Sequence, residues 1–152
     1  MAIKSGEQGA GSRESLHVSL SPKGEGSLAL DTHVICIAAR DMLKKCGVRR
    51  ARLSIVLLSD KAMRALNKKA LGHDYVTDVI TFDLSSDVLE GEIYVCPGEA
   101  KRNAALYGEP VERELLRYVA HGILHLSGFD DASDKERLHM RIEEDRLLKS
   151  CS

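Results

Sequence analysis

Residues 110–128, PVERELLRYVAHGILHLSG, restrict the fold more than any other stretch of the chain. The leading proline has no amide to lose in a first turn and the closing glycine suits a helix stop, so one helix starts near Val111 and ends at Gly128. At about 100° per residue, Leu116, Val119, Ala120, Ile123 and Leu126 gather on one side, while His121 and His125 project on roughly the opposite side with Glu114 and Tyr118. Such a helix needs a core for its apolar stripe and leaves two imidazoles, one turn apart, off that stripe.

The rest of the chain supplies the core. A length of 152 residues with 43% hydrophobic content fits one domain and is too short for two of ordinary size. Residues 1–14, rich in Gly, Ser and charge, read as a disordered lead-in, and the domain spans 15–152. LHVSL (16–20) alternates like a strand and SPKGEG after it reads as a turn. DTHVICIAARDMLKKCG opens on an aspartate cap and stops at Gly47, ARLSIVLLS (51–59) is a buried strand, and SDKAMRALNKKALG is a capped helix. TDVITFDL and GEIYVC are short strands, PGEAKRNAALYG is a helix, and a last helix runs from Ser133 or Asp134 to Lys149. The order βαβαββααα defines an α+β fold: a small mixed sheet of about four strands packed with helices.

Formal charge is −1, so no global basicity marks a nucleic-acid binder. No apolar run approaches the roughly 20 residues of a membrane span and the N-terminus has no signal-peptide h-region, which predicts a cytoplasmic protein without a membrane partner. Cys36, Cys46, Cys96 and Cys151 are scattered, without a C-x-x-C pair. They read as packing thiols, with no disulfide-linked partner.

Histidines at i and i+4 can converge on one metal ion. Gly128 suits a left-handed stop from which Asp131 can return toward them. Taken alone, Asp130 and Asp131 read as a turn and cap before the last helix; with both histidines and Gly128 in place, the metal reading is the stronger one. H-x-x-x-H-x-x-G-x-x-D shares its spacing with the metzincin pattern, but Gly122 stands where a protease carries its glutamate base.

HGILHLSGFDD (121–131) resembles the H-G-x-L-H-L-x-G-[YF]-D-H signature of the YbeY family, bacterial metal-dependent endoribonucleases of ribosomal RNA maturation. LNKKALGHDYVTDVITFDL (66–84) is similar to the family's Leu-Asn and Thr-Asp-Val segment, and GEIYVCPGEAKRNAALYG to its following strand and helix. The resemblance implies a zincin-like metallohydrolase architecture and one divalent ion, with zinc the expected metal. It places the third ligand six residues after His125, at Asp131 rather than Asp130. It also implies single-strand-directed cleavage, with ribosomal RNA and ribosomal subunits as partners. In two places the chain departs from the family: Asp131 replaces the usual third histidine, and Leu71 stands where many members carry arginine. His73, two residues on, is a candidate catalytic group because a partly protonated imidazole can meet a phosphate.

A phosphodiester substrate calls for local positive potential, and Arg49, Arg50 and Arg52 form a candidate substrate-binding patch near Lys44 and Lys45. The same residues also read as a solvated face. Whether water or the RNA 2′-hydroxyl is the nucleophile stays open. Two other readings stand beside the nuclease: a metallohydrolase of other specificity, including a peptidase, and a ribosome-associated assembly factor whose metal is mainly structural.

Overall fold

The computed structural model describes residues 13–23 and 31–149. Most of the expected lead-in therefore lies outside the described residues. The elements follow one another as β1 (Ser15–Lys23), α1 (Thr32–Lys45), β2 (Arg50–Leu58), α2 (Asp60–Leu71), β3 (Val79–Asp83), β4 (Leu89–Val95), α3 (Pro97–Tyr107), α4 (Val111–Leu126) and α5 (Asp134–Lys149). The caps act where the sequence puts them: Asp31 accepts from the His33 amide, Ser59 accepts from the Ala62 amide, and Gly72 closes α2 at φ 73°.

The strands form one mixed sheet in the order β1-β2-β4-β3. β1 and β4 run parallel to β2, and β3 turns back antiparallel on β4. β1 is longer than its alternation suggests. Ser21, Pro22 and Lys23, expected in a turn, continue the strand beside Leu58. Proline is tolerated there because β1 is an edge strand, where a missing amide donor leaves no neighbour unpaired. The rest of the expected turn, Gly24 to Gly26, lies outside the described residues.

Alternation in β2 divides the interior. Ala51, Leu53, Ile55 and Leu57 face the main core with α1, α4 and α5, while Val56 and Leu58 face a smaller cluster with Met63, Ile80 and Cys96. Each large apolar side chain buried this way contributes about 1.5–3 kcal/mol. α4 is more deeply embedded than a single apolar stripe predicts. Leu115, Tyr118, Gly122 and Leu124 are buried as well, because the sheet, α1, α3 and α5 all pack around this helix. Gly122 is the point of closest approach: a Cβ there would lie 2.7–2.9 Å from three atoms of the Ile93 side chain. Backbone meets β4 directly, and this is why position 122 has no room for a glutamate.

Among the described residues Cys36, Cys46 and Cys96 are free thiols; Cys151 lies outside them. No described helix is long and apolar enough to cross a membrane.

Candidate metal centre

The end of α4 explains how three donors meet. The Ser127 hydroxyl and amide both donate to the Ile123 carbonyl, and the Phe129 amide reaches back to the Leu124 carbonyl at 3.0 Å. Gly128 makes this reversal at φ 103°, a conformation costly for a residue with a Cβ. Phe129 packs against the core, and Asp131 arrives beside the two imidazoles.

Nε2 of His121 and Nε2 of His125 are 3.0 Å apart, and Asp131 Oδ2 lies 3.3 Å from the first and 3.4 Å from the second. Ligands about 2.0–2.1 Å from a tetrahedral zinc ion stand about 3.3–3.4 Å from one another. The donor triangle therefore fits a single ion with a fourth position left for solvent or substrate. Histidine nitrogen and carboxylate oxygen also suit harder divalent ions, so the donor set fits a divalent cation without fixing which one.

Behind the triangle stands Glu144 of α5. Its Oε2 is 2.7 Å from Nδ1 of His121, and its side chain is only 7% exposed. A carboxylate facing Nδ1 keeps the proton on that nitrogen and leaves the Nε2 lone pair free for a metal. Burial alone would lower the His121 pKa, but the Glu144 hydrogen bond and charge, with Asp131 and Asp78 adding to them, raise it. Glu144 is in turn compensated by Arg117, whose Nη1 donates to Oε1 at 3.0 Å while Nη2 donates to Asp145 at 2.8 Å. Residues 117 and 121 are one turn apart on α4, so Glu144 bridges both.

A cleft of about 270 Å³ opens at His121 and Asp131. Glu114, Arg117 and Tyr118 reach it from α4, and Arg137, Met140 and Arg141 from α5. Asp78 joins from the entry to β3. Its Oδ1 accepts from the Val79 amide at 2.8 Å and the Thr77 hydroxyl at 3.2 Å, the turn chemistry its sequence suggests, yet it also faces this cleft. Tyr118 receives a hydrogen bond from Asn103 Nδ2 at 2.7 Å, and burial pushes its phenol pKa up.

Other candidates lie apart from these donors. His73 is exposed after α2, stacked on Tyr75 with ring centroids 5.3 Å apart, and does not line the cleft. Arg50 and Arg52 line a different cleft of about 180 Å³ with His17, and Arg52 pairs loosely with Glu90 at 3.7 Å. Arg49 is exposed, and its carbonyl accepts from the Ser15 amide. Asp130 is exposed next to Asp131. Sequence reasoning missed Glu144, Arg117 and the cleft position of Asp78. A signal for Glu144 existed: Met140, Glu144, Leu147 and Leu148 are the buried residues of α5, so a carboxylate occupies a position in its apolar stripe.

A mixed four-stranded sheet, a helix presenting two histidines and a following turn presenting an aspartate together define a zincin-like α+β protein with a candidate one-metal centre. A family model described as Endoribonuclease YbeY matches residues 29–152. The chain is 43% identical over 113 residues to an Endoribonuclease YbeY of Chlorobium phaeovibrioides, covering 74% of this chain and 76% of that one. It is 35% identical over 134 residues to that of Salinibacter ruber, covering 82% and 85%. The solution structure of a Thermotoga maritima protein superposes with a TM-score of 0.65 at 28% identity, covering 88% of each chain. This chain belongs to the YbeY family.

Proposed function

We propose that this chain is a metal-dependent endoribonuclease that cleaves single-stranded regions of ribosomal RNA during maturation and quality control of ribosomal subunits in the cytoplasm. His121, His125 and Asp131 hold one divalent ion, zinc in this reading. The single observation that carries the proposal is the donor triangle, with edges of 3.0, 3.3 and 3.4 Å at the mouth of a cleft, in a chain related to endoribonucleases.

When bound, a divalent ion at these donors supplies Lewis-acid chemistry, polarising a phosphoryl oxygen or lowering the pKa of water. The chain does the rest. Glu144 keeps the His121 proton on Nδ1, Arg117 balances the buried carboxylate, and the Gly128 reversal holds Asp131 in register. Arg49, Arg50 and Arg52 meet the RNA backbone away from the cleft, and His73 meets a phosphate near the α2–β3 loop. A peptidase is the weaker reading, because position 122 lies flat against Ile93 and cannot carry a glutamate base.

The test is cleavage of a ribosomal RNA fragment by the metal-loaded chain, with His121→Ala as control. Endonucleolytic products that disappear in the control support the proposal. A metal-replete chain that cleaves no RNA overturns it.

A further inference from the structure

Three guanidinium groups line the cleft at His121 and Asp131, and their commitments differ. Arg117 is spent: it is largely buried and bonded to both Glu144 and Asp145. Arg137 is spent too, donating to the Asp134 carboxylate and to the carbonyls of Asp131 and Ala132, so that it closes the turn carrying the third donor. Arg141 is exposed and, among the described residues, bonds to no carboxylate or carbonyl. It sits one residue after Met140, which is buried, and one turn before Glu144, so α5 is fixed at this point while the guanidinium itself stays free.

The charge around it sharpens the contrast. Asp78, Glu114, Asp131 and Glu144 bring four carboxylates to a cleft of about 270 Å³. An anionic substrate entering such a place needs donors that are not already saturated, because a guanidinium locked in an ion pair offers its remaining positive potential only weakly. Ligand sites generally measure about 300–1,000 Å³, so this cleft is near the small end, and a phosphodiester seated in it lies within reach of both the donor triangle and its rim. Arginine is well suited to hold it. The planar fork gives two parallel hydrogen bonds to phosphate oxygens, and charge-assisted bonds of this kind are about twice as strong as neutral ones.

We infer that Arg141 is the substrate-binding cation of this cleft, gripping the non-bridging oxygens of the RNA phosphodiester held at the His121, His125 and Asp131 centre. The inference rests on the endoribonuclease reading and adds to it a specific phosphate contact from α5. Arg137 then acts as a structural neighbour, and Arg141 as a contact made only when RNA is present.

The experiment compares the full-length metal-loaded wild-type chain with Arg141→Gln, Arg141→Lys and Arg113→Gln. Arg113 pairs with Glu109 outside the cleft, so its substitution removes one charge from the chain without touching the proposed contact. Metal content, kcat and KM on a single-stranded RNA, and the salt dependence of binding to a 2′-O-methyl oligonucleotide are measured. Arg141→Gln should keep its metal, lose about tenfold or more in kcat/KM, and bind with a log–log salt slope shallower by about 0.7. Arg141→Lys should recover the slope and only part of kcat/KM, since it keeps the charge and loses the fork. Arg113→Gln should match wild type. Wild-type kinetics and slope in Arg141→Gln, or equal losses in Arg113→Gln, overturn the inference and leave the nuclease reading standing. A wild-type chain that neither binds nor cleaves RNA overturns both.

Discussion

Glu144 Oε2 and His121 Nδ1, on two different helices, are 2.7 Å apart in a place where the carboxylate is almost wholly withdrawn from water. The pair couples the docking of α5 to the tautomer of an imidazole in the candidate metal centre. Outer carboxylates of this kind are worth about 10–100-fold in metal affinity. Glu144→Ala should weaken metal binding by about that factor, measured by competition with a chromogenic chelator. Glu144→Gln, whose amide oxygen still accepts from Nδ1–H, should lose less, and nitrogen-15 shifts of His121 should report the same tautomer as wild type. Equal affinity in all three proteins would leave Glu144 with a packing role alone.

Asp131, six residues after His125, points at both imidazoles, while Asp130 is exposed beside it. Asp131→Ala should empty the site and abolish activity. Asp131→His should restore metal, and Asp130→Ala should keep most of it. Bound metal per chain in the purified variants decides the register: loss in Asp130→Ala without loss in Asp131→Ala shifts the ligand by one residue.

On the proposed reading, ligands from α4 and from the turn after it would tie two elements through one ion, so bound metal would stabilise the folded chain by RT ln(1 + [L]/Kd), about 2.7 kcal/mol at a hundredfold excess over Kd. Chelation should lower Tm by several degrees and speed amide exchange from Ser127 to Asp134. An unchanged Tm after verified metal removal would separate the ion from stability.

Gly122 faces Ile93 with no space for a methyl group. Alanine gains about 1 kcal/mol in helix propensity. Overpacking costs about 1–3 kcal/mol. Ile93 is fully buried and β-branched, and so gives way poorly. Gly122→Ala should therefore be destabilised by up to about 2 kcal/mol in chemical denaturation, and Gly122→Glu should fail to fold rather than gain peptidase activity. Neutral or higher stability in Gly122→Ala would show that the sheet yields there.

Asp60 accepts two hydrogen bonds from Arg102, at 2.8 and 3.0 Å, and one from the Cys96 thiol. These hold its pKa below the ordinary 3.8. The depressed value means the contribution is full above the unfolded pKa and is lost as pH falls through the folded one. Asp60 is nearly half exposed, so the effect is modest. Asp60→Asn should be slightly less stable than wild type at neutral pH, and the difference should shrink below about pH 4. A constant gap from pH 7 to 3 would assign it to packing.

Most element boundaries were legible because caps and breakers are local: Asp31, Ser59, Gly72 and Gly128 act within one turn of themselves. The antiparallel return of β3 on β4 is likewise local, a hairpin between two short neighbouring strands. Burial was harder to read. Tyr118 looked peripheral on a helical wheel because a wheel counts one packed side, whereas α4 is covered by the sheet and by three helices. Two of the three donors could be found from their spacing, and the third from the glycine stop together with family resemblance. Their support came from farther away. Glu144 and Asp78 reach His121 only through tertiary docking, which no periodicity encodes, although a glutamate in the apolar stripe of α5 marked a place where docking had to satisfy a charge.

The three candidate metal donors fall within eleven consecutive residues, 121–131, while the sheet beneath them joins Ser15 to Arg50 and Ala51 to Leu89. Closing those parallel pairs is slow because loop entropy must be lost before the contacts form. The donor segment needs only a helix end and a turn, which form in microseconds or less. The three side chains can therefore be brought near one another before the sheet has assembled, but Glu144 reaches His121 only when α5 docks, so full affinity for an ion would mark the end of folding and not its start.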